Sequence, residues 1–173
     1  MILEDGMMEI REITSSDSEN LARLIAEVEK TSDFMLFEAG ERKISGEQFR
    51  KRIESFGQDA STILVAEQQG TLVGYLIVVA GNENKAKHSA YLVIGISVEH
   101  RGQGIGSQLF KQLDIWAKDH QLHRLELTVM ESNSAGIALY QKNGFEIEGI
   151  KKDSLFVNGQ YENEYYMAKL IGQ

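Results

Sequence analysis

Short stretches in which apolar and polar residues alternate predict the β-strands of this chain. Residues 8–13 alternate loosely, and the β-branched runs at 62–67 and 72–79 flank Gln69-Gly70, which predicts an antiparallel hairpin. Asn158-Gly159, the dipeptide most typical of a two-residue hairpin turn, predicts a second hairpin near the end of the chain. The remaining predicted strands cover residues 90–98, 124–129, 145–157 and 160–170.

Apolar residues that recur every three or four positions predict four helices between these strands. The first two begin at capping-box patterns, Ser16 with Glu19 and Ser45 with Gln48, and the second helix runs to about residue 56. The apolar face of the first helix consists of Leu21, Leu24, Ile25 and Val28. The other two helices cover residues 104–119 and 134–142.

The order of the predicted elements is β-α-α-β-β-β-α-β-α-β-β. A strand, a helix and a strand follow one another between residues 90 and 129, and this connection predicts two locally parallel strands. The other connections are those of an antiparallel meander. The predicted fold class is therefore α/β: a mixed, mostly antiparallel sheet of about seven strands with helices on both faces.

Composition narrows the class of protein. The 173 residues predict one domain, residues 1–173, in which residues 1–7 form a loose N-terminal extension. The chain contains no cysteine, which excludes disulfides, zinc–thiolate sites, iron–sulfur clusters and a cysteine nucleophile. It also contains no proline, which excludes a cis-proline turn.

Charge and hydropathy predict the partners and the location. With 18 Lys and Arg against 26 Asp and Glu, the net charge is −8, which argues against nucleic-acid binding and favours a cationic substrate such as an amine. No stretch reaches the length of about 18 apolar residues that a membrane span needs, and the apolar start of the chain is too short for a signal peptide. We therefore expect a cytoplasmic protein with no membrane partner.

A glycine-rich turn follows the predicted strand at 90–98. Gly102, Gly104 and Gly106 let backbone N–H groups converge, and the helix that starts there adds unpaired N–H donors and a positive dipole end. Such a turn favours an anion, most often a phosphate. The turn lacks the lysine of a P-loop, and its spacing fails the dinucleotide fingerprint. On the glycines alone, a purely structural tight turn remains an alternative.

Two further patterns occur at a specific spacing. The first is Arg101-x-x-Gly104-x-Gly106, and the second is Asn133-Ser134-x-x-x-Ala138-Leu139-Tyr140-x-x-x-Gly144-Phe145. Together they resemble the GCN5-related N-acetyltransferase (GNAT) family, and the resemblance covers about residues 8–170. The tail around residues 148–167 is similar to amino-acid and ribosomal-protein N-terminal acetyltransferase subgroups. Val98 stands where many members have proline.

The resemblance implies that acetyl-CoA is bound in a gap between two neighbouring parallel strands, here 90–98 and 124–129. Backbone groups of Ile94, Gly95 and Ile96 would pair with the pantetheine arm, and the Ile96 amide would stabilise the oxyanion at the thioester. The backbone of the turn would cradle the pyrophosphate. The residues of this cradle are Arg101, Gly102, Gln103, Gly104, Ile105, Gly106 and Ser107, the last through its hydroxyl as well.

The resemblance also implies the roles of two residues in the second motif. Asn133 matches the asparagine that touches the cofactor arm, although an N-cap role for the next helix fits it as well. Tyr140 lies seven residues later on the same helix face and matches the general acid that protonates the departing thiolate. The implied function is direct transfer of an acetyl group from acetyl-CoA to a primary amine of a small molecule or peptide. The alternative is a non-catalytic acyl-CoA sensor or scaffold on the same fold.

The motifs do not mark the general base. Some relatives carry a glutamate five residues before the asparagine, where this chain has Thr128. Glu126, two residues away on the same side of the strand, is the first substitute, and Glu131 and His88 are less specific candidates. The alternatives are a water relay and, for Glu126, an ordinary solvated surface charge.

The residues that would bind the acceptor amine are the ones that the sequence marks least clearly. In the family, the connection at residues 31–46 commonly lines the acceptor pocket. The resemblance therefore implies substrate contacts from Phe34, Phe37 and Glu38, with Glu41 as a further carboxylate. The alternative is that both phenylalanines are ordinary core anchors.

Two further expectations concern metals and assembly. His120 and His123 lie three residues apart at a helix end, without an evident third ligand, so we predict no metal site. The last hairpin offers a strand edge that suits a homodimer.

Overall fold

The computed structural model describes residues 8–172, so the predicted extension at residues 1–7 lies outside the described residues. Within this range, seven strands and four α-helices follow the predicted order. Their bounds are β1 Met8–Glu12, α1 Ser18–Thr31, α2 Gly46–Glu54, β2 Thr62–Gln68, β3 Thr71–Ala80, β4 Ser89–Ile96, α3 Ile105–Asp119, β5 Arg124–Met130, α4 Ser134–Lys142, β6 Glu146–Val157 and β7 Gln160–Leu170. Short 3-10 turns at Ser15–Asp17 and Val98–His100 lie before α1 and after β4.

The described strands form a seven-stranded sheet in the order β1-β2-β3-β4-β5-β7-β6. Neighbouring strands are antiparallel except β4 and β5, which are parallel as predicted. These two strands pair over three positions, from Ser89 with Arg124 to Tyr91 with Glu126. Both strands then continue for several residues without pairing to each other. An opening therefore separates the second half of β4 from β5.

Both predicted hairpins form, and their turns have the conformation that their sequences require. Gln69 and Gly70 have φ values of 51° and 79°, and Asn158 and Gly159 have φ values of 50° and 78°. Two successive residues with positive φ are typical of the tight turn that matches the twist of a hairpin. The first turn joins β2 to β3, and the second joins β6 to β7.

Helices cover both faces of the sheet, which confirms the predicted α/β class. The apolar stripe of α1 and part of α2 pack on one face, where Tyr75 of β3 is a large, fully buried side chain. On the other face, α3 packs through Leu109, Phe110 and Leu113, all fully buried. Burying one such side chain contributes about 1.5–3 kcal/mol to stability. The two layers hold the strands on either side of the opening in place.

The start of α1 differs from the prediction. A 3-10 turn precedes the helix, which begins at Ser18, one residue later than the pattern of Ser16 and Glu19 predicts, so that capping box is wrong. The Asp17 carboxylate instead accepts hydrogen bonds from the Thr14 N–H (2.8 Å) and from the Arg11 guanidinium (2.8 Å). Thr14 and Asp17, three residues apart, thus form the capping box of the 3-10 turn, and Arg11 of β1 binds the same carboxylate from the neighbouring strand.

At α2 the predicted start is correct, but the predicted cap does not form. Ser45 precedes the helix in an extended conformation, and its side chain makes no capping hydrogen bond. The Glu19 carboxylate lies against the start of α2 instead, so close to Gly46 that a Cβ there would overlap it. A negative charge at this position complements the helix dipole. The helix ends at Glu54, two residues earlier than predicted.

Candidate active site

The glycine-rich turn leads from β4 into α3. Gly102 and Gly104 have φ values of 74° and 82°, a left-handed conformation that favours glycine. A Cβ at either position would meet no atom within 4 Å, so the space above the turn is open. α3 begins at Ile105, and the N–H groups of its first turn have no partner within the helix. The turn thus presents backbone donors and a positive dipole end to open space, an arrangement that fits a phosphate.

Gly106 has a different role from the other two glycines. Leu139 of α4 lies 2.9 Å from the position that a Cβ would take, so the glycine lets α4 pack against the start of α3. Asn143 reinforces this contact, because its Nδ2 donates to the Ser107 hydroxyl (3.1 Å) and to the Leu139 carbonyl (2.9 Å). The Ser107 hydroxyl accepts this bond and retains its own proton for donation. The second motif is therefore held directly beside the first.

The long side chains of the turn fold back onto the protein. Arg101 Nε donates to the Ile96 carbonyl (3.3 Å), and Gln103 Nε2 donates to the Glu99 carbonyl (3.4 Å). The backbone of these residues, rather than the side chains, is therefore what the turn offers to a ligand.

The opening between β4 and β5 begins beyond Tyr91. Ile94, Gly95 and Ile96 lie on this stretch of β4, and antiparallel pairing with β3 occupies one edge of the strand. The other edge faces the opening, where no described strand pairs with it. A strand with a free edge can bind an extended ligand through main-chain hydrogen bonds. These three residues thus lie along a free strand edge, and the binding of a pantetheine arm there stays a prediction.

Gly95 also makes room for Tyr75, a buried tyrosine that no sequence pattern marks. A Cβ at Gly95 would lie 2.5 Å from Cζ and from the hydroxyl oxygen of Tyr75. The Tyr75 hydroxyl has no hydrogen-bond partner among the described residues. Burial, and secondarily the negative charge of Glu29, raises the pKa of this phenol, so it stays protonated at neutral pH.

Tyr140 lies on α4, in an aromatic cluster with two phenylalanines. Its ring centroid is 5.9 Å from that of Phe110 and 6.2 Å from that of Phe145, both in edge contacts. Burial, and secondarily the charge of Tyr91, raises the pKa of Tyr140 to about 12. A tyrosine in this environment keeps its proton at neutral pH, which suits an acid and not a base.

Asn133 caps α4. Its side-chain oxygen accepts a hydrogen bond from the Gly136 N–H at 2.9 Å, as the capping alternative predicts. The contact with a cofactor arm stays a prediction for this residue. Asn133 precedes the same helix that carries Tyr140, so the cap also fixes where Tyr140 lies.

The predicted substitute base, Glu126, is engaged in an ion pair. Its Oε2 accepts a hydrogen bond from Arg124 Nε at 2.8 Å, and Arg124 also binds Glu148 at 2.6 Å and 3.0 Å. Glu126 lies opposite Tyr91, at the last paired position of β4 and β5. Thr128, the next residue on the same side of β5, shares a hydrogen bond of 2.7 Å with the Tyr91 hydroxyl. Nothing in the sequence pattern marks Tyr91 as part of the site.

The two less specific base candidates lie in different surroundings. Glu131 accepts hydrogen bonds from Asn163 Nδ2 (3.1 Å) and from the Tyr165 hydroxyl (3.2 Å). His88 is exposed, directly before β4, with its ring 6.4 Å from that of His123. It therefore lies on the paired side of Tyr91, away from the opening.

In the connection between α1 and α2, an ion pair between Arg42 and Glu29 contacts the helical layer, and neither phenylalanine is buried in the core. Phe34 is 42% exposed, so it is not a core anchor. Phe37 is partly buried, and the Arg42 guanidinium lies 4.1 Å from its ring centroid. Arg42 also forms an ion pair of 2.7 Å with Glu29, a carboxylate buried in α1. Phe34 is thus exposed and Phe37 is partly buried, and contact of either residue with a substrate stays a prediction.

Glu38 and Glu41 lie together in the same connection. The Glu38 N–H donates to the Glu41 carboxylate at 2.8 Å, and both residues are exposed. The Glu41 carboxylate therefore already accepts a backbone hydrogen bond within the turn. The exposed Glu38 carboxylate accepts no backbone hydrogen bond of this type from the described residues.

The histidine pair at the end of α3 is structural. His120 stacks on Trp116 with 3.9 Å between ring centroids, and its Nδ1 hydrogen-bonds the Trp116 carbonyl at 2.8 Å. His123 Nδ1 hydrogen-bonds the Ile171 carbonyl at 3.1 Å. Residues 8–172 contain no cluster of three or more His, Asp or Glu side chains arranged to hold a metal ion. Nor does any helix in this range have the length and apolar composition to cross a bilayer.

Comparison with known proteins identifies the class. The family model described as Acetyltransferase (GNAT) family matches residues 25–145. The L-amino acid N-acetyltransferase AaaT of Escherichia coli is 34% identical over 111 residues, which are 62% of this chain and 67% of that protein. The chain spans less than two thirds of the length of several other curated relatives.

Two solved structures share the fold over nearly the whole chain. An acetyltransferase of the GNAT family from Streptococcus pneumoniae has a TM-score of 0.88 at 29% identity, over 95% of this chain and 99% of that one. A ribosomal-protein-alanine N-acetyltransferase from Brucella melitensis has a TM-score of 0.83 at 26% identity, over 94% of this chain and 99% of that one. The chain belongs to the GNAT family of acetyltransferases. It is therefore an acyltransferase, and its acetyl donor is acetyl-CoA.

Proposed function

We propose that this chain acts as a single N-acetyltransferase domain that transfers an acetyl group directly from acetyl-CoA to a primary amine. Three features support the proposal: an anion-binding turn that is open to solvent directly after β4, a free edge of β4 along the opening, and a protonated tyrosine on α4, the helix that packs against the start of α3. The first two suit the two halves of CoA, and the third suits the leaving thiolate.

Acetyl-CoA would be held mainly by backbone groups. The N–H groups from Arg101 to Ser107 would bind the pyrophosphate, because Gly102 and Gly104 leave the space above the turn open. The free edge of β4 at Ile94 and Ile96 would bind the pantetheine amides, and the Ile96 amide would donate to the thioester oxygen as negative charge develops there.

Tyr140 would protonate the departing thiolate. Its raised pKa, about 12, keeps the phenol protonated at neutral pH, and its ring is fixed by Phe110 and Phe145. With no cysteine in the chain, an acetyl-cysteine intermediate is impossible. Transfer from donor to acceptor in one complex is therefore the simplest route.

The acceptor class follows from charge and from the relatives. A net charge of −8 favours a cationic amine. The relatives named above are an L-amino acid N-acetyltransferase and a ribosomal-protein-alanine N-acetyltransferase. Phe34, Phe37 and Glu38 would contact the acceptor, with Glu38 near its ammonium group. We propose a small-molecule amine or a peptide N-terminus as the acceptor, and we keep the cytoplasmic location and the homodimer as predictions.

A screen of amines tests this function. Acetyl-CoA is mixed with L-amino acids, spermidine, thialysine or a peptide that begins with alanine, and free CoA thiol and acetylated product are measured. We expect thiol release with at least one amine, and Tyr140→Phe should lower turnover at least about 100-fold with little change in acetyl-CoA affinity. Tyr161→Phe, an exposed tyrosine in the last hairpin, is the matched control.

One observation favours a second candidate, a non-catalytic acyl-CoA sensor. Thr128 occupies the position of the carboxylate that some relatives use, and Glu126 is neutralised by Arg124. The same screen separates the two candidates. Acetyl-CoA binding by calorimetry without thiol release for any amine would favour the sensor, and an unchanged rate for Tyr140→Phe would remove that residue from the mechanism.

A further inference from the structure

Two hydroxyl groups meet at the point where β4 and β5 separate. Tyr91 is the last residue of β4 that pairs with β5, and its hydroxyl lies 2.7 Å from Thr128 Oγ1. We call this contact the hydroxyl bridge. The Tyr91 side chain is 40% exposed, so the bridge is in contact with solvent. It therefore closes the inner end of the opening with two groups that both donate and accept hydrogen bonds.

The charged groups on this face of β5 are already paired. Glu126, opposite Tyr91, accepts a hydrogen bond from Arg124 at 2.8 Å, and Arg124 is bound in turn by Glu148. The Arg124 hydrogen bonds hold the pKa of Glu148 below its usual range. One Glu126 carboxylate oxygen is thus already bound by Arg124 and is not free to contact an amine without breaking this ion pair.

The other elements around the bridge contribute mostly hydroxyl groups. From β7, Tyr166 pairs with Thr128, and Glu164 lies two residues further on the same face, opposite Lys151 of β6. From α4, Tyr140 interacts electrostatically with Tyr91. From β3, the residue opposite Tyr91 is the apolar Val79. Glu164 is therefore the second carboxylate, besides Glu126, that an experiment must examine.

We propose that the hydroxyl bridge receives the acceptor amine as the free base and passes its proton to solvent, so that no carboxylate acts as general base. This inference rests on the proposed function. In the transfer, a bond forms between the amine nitrogen and the acetyl carbon, and the carbon–sulfur bond breaks with its electron pair on sulfur. Tyr140 protonates the sulfur. The proton lost by nitrogen leaves through the bridge to water, and water restores the Tyr140 proton, so amine and acetyl-CoA give amide and CoA thiol.

The chemistry of hydroxyl groups explains why the amine must arrive neutral. A neutral hydroxyl group donates and accepts hydrogen bonds but is a very weak base, so neither group takes a proton from an ammonium group near pH 7. Each can accept a hydrogen bond from a neutral amine while it donates one to its neighbour or to water. The bridge thereby orients the nitrogen and conducts a proton without a net change of its own.

The pH dependence of the wild-type reaction therefore follows the acceptor. The value of kcat/KM should rise with pH up to the pKa of the amine itself, about 7.7–8.0 for the α-amino group of a peptide N-terminus and about 10.4 for a lysine-type amine. An enzyme carboxylate or histidine that took the proton would instead give one midpoint for all acceptors.

Variants of the bridge test the inference. Tyr91→Phe and Thr128→Val each remove one hydroxyl and keep the side-chain shape. We expect kcat/KM for the best amino acid or polyamine of the screen to fall about tenfold or more, with acetyl-CoA affinity by calorimetry unchanged. Tyr161→Phe is the matched control and should keep the wild-type value. Thr128→Glu supplies a carboxylate at the same position, so its pH profile should extend to lower pH than that of the wild type.

The outcomes separate this inference from the proposed function. If wild-type protein releases no thiol with any amine, the proposed function fails and the inference with it. If the wild type is active while Tyr91→Phe and Thr128→Val keep its kcat/KM and pH profile, the inference alone is wrong. It is also wrong if Glu126→Gln or Glu164→Gln abolishes the rise of kcat/KM with pH, because that carboxylate would then be the base.

Discussion

Replacing Gly95 by alanine should force Tyr75 out of its position. The new Cβ would lie 2.5 Å from Cζ and from the hydroxyl oxygen of Tyr75, closer than real Cβ atoms approach other heavy atoms. Tyr75 is 1% exposed and packed among buried residues of the layer beneath α1, so its ring has no free volume to enter. Either the ring or the β4 backbone must move.

The expected cost follows from overpacking of a dense core. Extra methyl groups in such cores cost about 1–3 kcal/mol, and for a chain of this size each kcal/mol lowers Tm by about 2–4 °C. Gly149→Ala is the matched control, since its Cβ would lie 3.9 Å from Tyr166, an ordinary contact in a strand. That variant should be neutral or slightly stabilising, because alanine reduces the entropy of the unfolded chain.

The assay is denaturant unfolding of the two single variants, of Tyr75→Leu, and of the double variant Gly95→Ala with Tyr75→Leu. If the clash is the cause, leucine at 75 relieves it, and the coupling energy between the two positions should be at least about 1 kcal/mol. Equal stability of Gly95→Ala and Gly149→Ala, or additive effects in the double variant, would refute the reasoning.

Three further outcomes are expected. Gly104→Glu should abolish acetyl-CoA binding in calorimetry, because it adds a carboxylate and a strained positive φ at the anion-binding turn. Asn133→Ala should cost about 1 kcal/mol in urea unfolding through the lost cap, whereas Asn133→Asp should retain stability and weaken acetyl-CoA binding if the amide touches the cofactor. The Arg11 guanidinium lowers the pKa of Asp17 in the folded protein. This pair therefore stabilises the fold above the unfolded pKa of aspartate, about 3.9, and its contribution is lost as pH falls below that value. Asp17→Asn should remove this part of the acid dependence of Tm.

The fold was predictable from sequence because most of its signals are local. The turns at Gln69-Gly70 and Asn158-Gly159 need only two residues to specify a hairpin, and the alternation of neighbouring runs supplies the strands. The start of α1 was predicted wrongly because Thr14 and Asp17, and not Ser16 and Glu19, form the capping box; the ion pair between Arg11 and Asp17 that favours this choice arises only in the tertiary structure.

The candidate site likewise contains parts that a local sequence motif predicts and parts that depend on the tertiary structure. The turn at Gly102 and Gly104 is a contiguous motif, so its position follows from the sequence. Tyr91 belongs to the site because of the parallel register between β4 and β5, which places its hydroxyl beside Thr128. Sequence alone does not fix the register of strands separated by a helix. The role of Tyr75 depends likewise on the register that sets it opposite Gly95.

The short pairing of β4 with β5 has a mechanical consequence for the whole molecule. Within the described sheet, only three residue pairs join strands β1 to β4 to strands β5 to β7, while the core beneath α3 packs against both parts. A ligand that forms hydrogen bonds along the free edge of β4 would fill the opening between β4 and β5. It would therefore stabilise the folded state in addition to taking part in the reaction. At 100 times its dissociation constant, such a ligand adds about 2.7 kcal/mol to the stability of the folded state. The free energy of unfolding of this protein should therefore rise with the concentration of acetyl-CoA.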